Sequence, residues 1–265
     1  MNEPNGNNLL QSKARFSNRV ANYIRYRPGY PAEIVTLLRD ECGLTKGSVI
    51  ADIGSGTGKL SELFLKAGCN VFGVEPNKEM REAGRRMHYS NFTSVEASAE
   101  ETTLPSGGVD FITAGQAFHW FDPDRCRLEF ARILKPDGWV VIIWNDRQDD
   151  TTPFLAAYER LLEQFGTDYA QVHHRRSDDP EALREFFGDP PQFRSFRNAQ
   201  RFDFEGVKGR LLSSSYAPVA GQPKHEEMIA ELKRIFEAWQ RDGLVDFEYD
   251  THVYYGHIQM HGRSA

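Results

Sequence analysis

The sequence of 265 residues has little cysteine, and nothing in its arrangement uses it. Cys42, Cys69 and Cys126 lie far apart and form no CxxC pair. That spacing argues against a secreted disulfide framework and against a cysteine zinc site. Long apolar runs are missing too. The longest, Trp139–Trp144, spans six residues, far short of the roughly 20 that a membrane-crossing helix needs. Met1–Asn8 lacks the basic and apolar regions of a signal peptide. Together these absences predict a cytoplasmic protein with no membrane partner. Positive charge is not in excess either: 32 Lys and Arg against 38 Asp and Glu leave a net charge of −6. A surface that grips nucleic acid is therefore not expected. His257 and His261 stand four apart, the spacing of a helical metal pair, but no third ligand accompanies them and no metal is expected. No internal repeat is visible.

What is present describes a folding chain. It is 40% hydrophobic and 12% aromatic, which excludes disorder for the bulk. The length suits one large domain that needs no covalent staple. From Ser48 to Trp144 short apolar runs alternate with helical periodicities. Strands are predicted at Ser48–Ile53, Asn70–Val74, Phe92–Ala97, Val109–Ala114 and Trp139–Trp144. Leu60, Leu63, Phe64 and Ala67 recur at helical spacing before Gly68, and a further helix is expected around Asn77–His88. Asp122-Pro123 reads as a cap and first-turn proline of a helix burying Cys126, Phe130, Ile133 and Leu134. Lys135–Gly138 reads as a turn. Apolar strands alternating with helices imply a parallel sheet covered on both faces.

Flanking segments differ. A helical piece is expected over Ser12–Tyr26, and Pro31 opens a helix that buries Ile34, Leu37, Leu38 and Cys42 before Gly43 stops it. Helices are predicted at Pro153–Phe165, Glu181–Phe187, Val207–Ser215 and Glu226–Gln240. Phe193–Phe204 reads as a strand with a turn at Asn198. Val245–Tyr255 alternates Phe247, Tyr249, Thr251, Val253 and Tyr255 against polar residues, as an antiparallel strand does. The expected organisation is a single domain over 1–265. Its core is 32–145 and 192–256, with a helical cover at 12–31 and an inserted cap at 150–191.

The chemistry-bearing motif is Asp52-Ile53-Gly54-Ser55-Gly56-Thr57-Gly58, at the end of the first strand and opening a helix. Glycines let a ligand approach the backbone, and a helix start offers free N–H groups. Glu75 ends the second strand, where a carboxylate can accept from both ribose hydroxyls. A dinucleotide fingerprint needs glycine where this chain has Lys59. Asp52 would repel a pyrophosphate and suit an ammonium; its bland reading is a cap for the glycine turn.

These residues are similar to a known pattern. DIGSGTG followed by GVEPNKEM resembles motif I and the acidic strand end of class I S-adenosylmethionine-dependent methyltransferases. Further downstream, EASAE with Leu104-Pro105 resembles the family's adenine edge, although Ser98 stands where the family often has Asp. Gln116–Phe121 resembles its segment at the methyl donor, and Leu134–Gly138 the turn before its fifth strand. The resemblance implies a Rossmann-like α/β fold: a seven-stranded, mostly parallel sheet with an antiparallel late strand and a helical insertion. It implies S-adenosylmethionine as cofactor, held by Arg27, Asp52, Gly54, Ser55, Gly56, Gly58, Glu75, Pro76, Ser98, Ala99, Gln116 and Ala117. YRPGYP and AFHWFD resemble the subgroup of trans-aconitate methyltransferase-like enzymes, which implies a small-molecule acceptor, a carboxylate among the options. The expected state is a monomer or homodimer.

His119 has three readings: a general base, a wall of the acceptor pocket, or a buried structural histidine. Tyr216 is the second candidate at the acceptor. Arg27 and Tyr30 either fold over the cofactor, as the resemblance implies, or form a surface turn. His173–Arg176 is a solvated loop, or a grip on an anion. Two rivals stand beside methyl transfer: a binding module without catalysis, and an NAD-dependent oxidoreductase. Nucleic-acid methylation is disfavoured by the acidic balance and by the lack of an Asn-Pro-Pro-Tyr-type segment after the fourth strand.

Overall fold

The computed structural model describes residues 20–167, 169 and 180–259. In chain order these are α1 (Val20–Tyr26), α2 (Glu33–Cys42), β1 (Val49–Ile53), α3 (Lys59–Lys66), β2 (Asn70–Val74), α4 (Lys78–Arg85), β3 (Phe92–Val95), β4 (Val109–Gly115) and a 3-10 turn (Phe118–Trp120). Then follow α5 (Pro123–Ile133), β5 (Leu134–Arg147), α6 (Pro153–Phe165), α7 (Pro180–Phe187), β6 (Gln192–Phe202), α8 (Phe204–Leu212), α9 (His225–Trp239) and β7 (Val245–Gly256).

Caps and stops close the helices. Asp122 caps α5 by accepting from the Arg125 N–H, and Asn77 caps α4 by accepting from Met80. Gly43 closes α2 in the left-handed region at φ 70°.

One seven-stranded sheet runs in the order β3-β2-β1-β4-β5-β7-β6. β1 pairs in parallel with both β2 and β4, and β5 continues the parallel set beside β4. β7 is antiparallel to both β5 and β6. Both faces are buried, so successive residues of one strand feed different cores. Val140 and Ile142 pack with α5 and α7, while Val141 and Ile143 pack with α2 and α3. Strand order changes direction between β1 and β4. Parallel α/β sheets bind their ligands beyond the strand ends at such a point.

Three expectations change. Lys135–Gly138 does not separate helix from strand as a turn: β5 already starts at Leu134, and its register against β4 shifts between Val109 and Phe111. The Pro-Asp-Gly residues are accommodated as an irregularity at a strand start. β6 is continuous through Asn198, with no turn. Asn198 pairs with Tyr249, and its side chain donates to the Gly29 carbonyl and to Asn145 Oδ1, so long-range partners override its turn propensity. The stretch 150–191 also divides. α6 packs with α8 and α9 around Phe247 and Tyr249, whereas α7 packs on α5.

Candidate functional site

β1 delivers the chain into the loop Gly54–Gly58, and α3 begins at Lys59. Gly54 sits at φ 66°, and a Cβ there would lie 2.6 Å from the Ala117 side chain. Gly56 sits at φ 56° with open space above it, its only neighbour within reach of a Cβ being a backbone oxygen 4.0 Å away. A side chain would be strained at either position. The first lets the loop pack on the segment after β4; the second leaves room for a ligand.

Asp52 is 0% exposed beneath this loop. Ser61 donates to one carboxylate oxygen at 2.5 Å and Thr113 to the other at 3.0 Å. The group therefore braces β1 against β4 and α3. Burial pushes its carboxyl up to about 6, against the pull of those two hydroxyls. Asp52 also borders the larger cavity, with one oxygen held by Ser61 and the other by Thr113.

Glu75 is 8% exposed at the end of β2. It accepts from the Gly56 N–H at 2.9 Å and from the Asn77 N–H at 2.7 Å. A cavity of about 110 Å³ opens here, walled by Glu75, Pro76, Met80, Ala99, Ala117 and Phe121 among others. A larger cavity of about 290 Å³ lies on the other side of the loop. Tyr23, Gly54, Gly56, Gly115, Gln116 and Trp120 line both, and so form the neck between them. Gln116 holds an uncommon φ of 56° for a residue other than glycine. Its side-chain amide donates to the Asn145 carbonyl at 2.9 Å, which ties the neck to β5.

The larger cavity gathers residues from distant parts of the chain. α1 and the turn after it bring Tyr23, Arg27 and Tyr30; α8 and the turn after it bring Arg210 and Tyr216; β7 brings Tyr249. Arg27 donates to the Ser213 carbonyl and to Ser214 Oγ. Burial, and then the neighbouring Arg210, hold its pKa below the ordinary arginine value. Burial drives the Tyr30 phenol well above its usual value, so it is a neutral donor. Arg147, deep in the same cavity, is paired with Glu159 and with Asp149 at 3.1 Å. His119 is exposed at the rim, its ring 4.8 Å from that of Trp120. The buried structural reading of His119 is thereby overturned. Among the cavity residues, Arg27 Nε, Thr57 Oγ1 and Trp144 Nε1 are buried with no hydrogen-bond partner among the described residues. Such atoms are costly unless something else satisfies them.

The expected residues mostly converge. Arg27, Asp52, Gly54, Ser55, Gly56, Gln116, His119 and Tyr216 line the larger cavity; Gly54, Gly56, Glu75, Pro76, Ala99, Gln116 and Ala117 line the smaller. Gly58 and Ser98 line neither. Gly58 turns the chain at φ 87° against Met87. At the smaller cavity Ala99 and Glu100 stand where Ser98 was expected. His173–Arg176 and His261 lie outside the described residues. Arg210, Tyr249, Tyr23 and Asn145 were not anticipated. No local motif marks them, and only strand and helix pairing across the fold brings them in.

Comparison with known proteins agrees with this geometry. A family model described as a methyltransferase domain matches residues 51–142, from β1 into β5. An uncharacterized methyltransferase of Schizosaccharomyces pombe is 28% identical over 246 residues, covering 90% of this chain and 95% of the relative. An uncharacterized methyltransferase of Mycobacterium tuberculosis is 34% identical over 134 residues, 51% of this chain and 53% of that relative. Among solved structures, a protein assigned as a type II methyltransferase from Anaeromyxobacter dehalogenans superposes with a TM-score of 0.66 at 20% identity, covering 89% of this chain and all of its own. One assigned as a methyltransferase of an antibiotic biosynthesis pathway in Anabaena variabilis gives 0.56 at 21% identity, with 87% and 98% covered. At these identities the solved structures speak for the Rossmann-like fold alone. Residues 51–142 thus match a methyltransferase domain, and a relative described as a methyltransferase spans 90% of the chain.

Proposed function

We propose that this enzyme holds its cofactor through the neck between the two cavities and methylates a small molecule that enters the larger one. The observation that carries this reading is Glu75, a carboxylate fixed by two backbone N–H groups at the wall of the smaller cavity. There it would take the ribose hydroxyls, with Met80, Ala99 and Phe121 around the base. Arg27, with an unsatisfied Nε, would take the cofactor's carboxylate. The ammonium would lie over the Gly54–Gly56 backbone within the field of Asp52.

The bound cofactor supplies an electrophilic methyl group, and the sulfonium charge is lost in the transition state. The protein's part is to align the acceptor and exclude water. Trp120, Trp144 and Tyr30 give the larger cavity dry walls beside the neck. Ligand cavities usually hold about 300–1,000 Å³, and this one of about 290 Å³ must also admit part of the cofactor. That size favours a small acceptor over a polymer. A carboxylate acceptor, as in the trans-aconitate methyltransferase-like subgroup, needs no deprotonation, and His119 then positions it at the rim. Tyr216 lines the same cavity. A cytoplasmic location fits this chemistry; no described helix is long and apolar enough to cross a membrane.

The test is formation of S-adenosylhomocysteine from S-adenosylmethionine over a panel of small acids, phenols and amines. Turnover confined to some of them is expected; none with any acceptor would favour a binding module. With an acceptor found, His119→Asn is expected to raise KM and leave kcat nearly intact. A kcat loss of about 10²–10⁴-fold would instead make His119 a base.

A further inference from the structure

Arg210 is 5% exposed, yet it has no acidic partner among the described residues. Its Nε donates to Tyr249 Oη at 3.2 Å, its Nη1 to Ser214 Oγ at 3.4 Å, and its guanidinium lies 5.9 Å from the centre of the Phe247 ring. All of these partners are neutral. A buried charge without a counter-charge is costly, and arginine cannot shed its proton to escape the cost. The contrast within the same cavity is direct. Arg147 has Glu159 and Asp149, and the Asp52 carboxylate is occupied by Ser61 and Thr113. Arg27 makes the imbalance worse, because it shares Ser214 Oγ with Arg210 and likewise has no acidic partner among the described residues.

Two neighbouring guanidiniums with no acid beside them among the described residues suit two negative groups. If the cofactor's carboxylate takes Arg27, which lies against Tyr23 at the neck, Arg210 is left over. It lines the larger cavity with Ser215 and Tyr216, whereas it is Arg27 that lies over the ring of the neck residue Tyr23. We propose that Arg210 is the receptor for an anionic group on the methyl acceptor, so that the substrates of this enzyme are small oxyanions, carboxylates above all. A guanidinium offers a planar pair of donors that matches a carboxylate. This inference rests on the methyl-transfer reading above.

The experiment uses the whole chain loaded with S-adenosylhomocysteine, the product, so that only the acceptor space is open. Benzoate, glutarate and phenyl phosphate are titrated by calorimetry, with benzamide as the uncharged control. At least one acid is expected to bind the loaded protein about tenfold or more tighter than benzamide. Arg210→Gln should abolish that preference and change the S-adenosylhomocysteine Kd by less than about threefold. Arg210→Lys keeps the charge in place if the glutamine variant does not fold. It loses the paired donors and should weaken the acid several-fold. Three results overturn the proposal: no acid preference in the wild type, unchanged acid affinity in the lysine variant, or loss of S-adenosylhomocysteine binding in step with acid binding. The last would give Arg210 to the cofactor's carboxylate. Failure of the wild type to bind S-adenosylhomocysteine is seen before any acid is added, and would sink the methyl-transfer reading together with this one.

Discussion

Two acids separated by one loop do opposite work. Glu75 is pinned by the Gly56 and Asn77 N–H groups at the wall of the smaller cavity. Hydrogen bonds to a charged group contribute about 1.5–3 kcal/mol each, so Glu75→Ala is expected to weaken S-adenosylhomocysteine binding by tenfold or more in a folded protein. An unchanged Kd would remove Glu75 from the ribose. Asp52 is instead spent inside the fold, and its carboxyl, pushed up to about 6 from an ordinary 3.8, makes stability depend on pH. Below the ordinary value it is protonated folded and unfolded, and costs nothing. Between the two values the folded state keeps a proton the unfolded state has released. Above about 6 it is charged in both, and the burial cost stands in full, on the order of 3 kcal/mol. Wild-type stability relative to Asp52→Asn should therefore fall as pH rises from about 4 to about 6, read from urea midpoints of both proteins. A constant difference across that range would contradict the buried brace. The acid and glycine spacing announced both residues. The brace on Asp52 was not legible, because Ser61 and Thr113 are ordinary residues until β1, β4 and α3 come together.

At the scale of elements, α1 is what closes the site, and α8 is what holds α1. A Cβ on Gly209 would come within 2.0 Å of the Tyr26 ring, so α8 needs a glycine where that ring lies on it. Gly209→Ala should push α1 away and carry Tyr23 and Arg27 out of the larger cavity. The expected result is a rise of about tenfold or more in the S-adenosylhomocysteine Kd, with far-ultraviolet circular dichroism unchanged, since the sheet is untouched. Wild-type affinity would show that α1 does not contribute to the site. Much at this scale was legible from local pattern. The β1–loop–α3 unit, the cap at Asp122 and the alternation of Val245–Tyr255 all follow from period and capping chemistry. What escaped depends on distant partners. Asn198 continues β6 because Gly29, Asn145 and Tyr249 receive it. Tyr249 enters the cavity on β7, which lies between β5 and β6, and Arg210 enters on α8, its Nε donating to Tyr249.

The whole molecule is a sheet whose direction change opens two cavities on either side of one glycine loop. An elongated ligand with a sugar at one end and charged groups at the other suits that shape. A dinucleotide would need its pyrophosphate beside the field of Asp52 and a helix start where Lys59 replaces glycine. Titration calorimetry with S-adenosylmethionine and with NAD, on the same preparation, tests this most directly. Saturable one-to-one binding of S-adenosylmethionine, with no heat from NAD, is the predicted result. Binding of NAD with no response to S-adenosylmethionine would contradict the account.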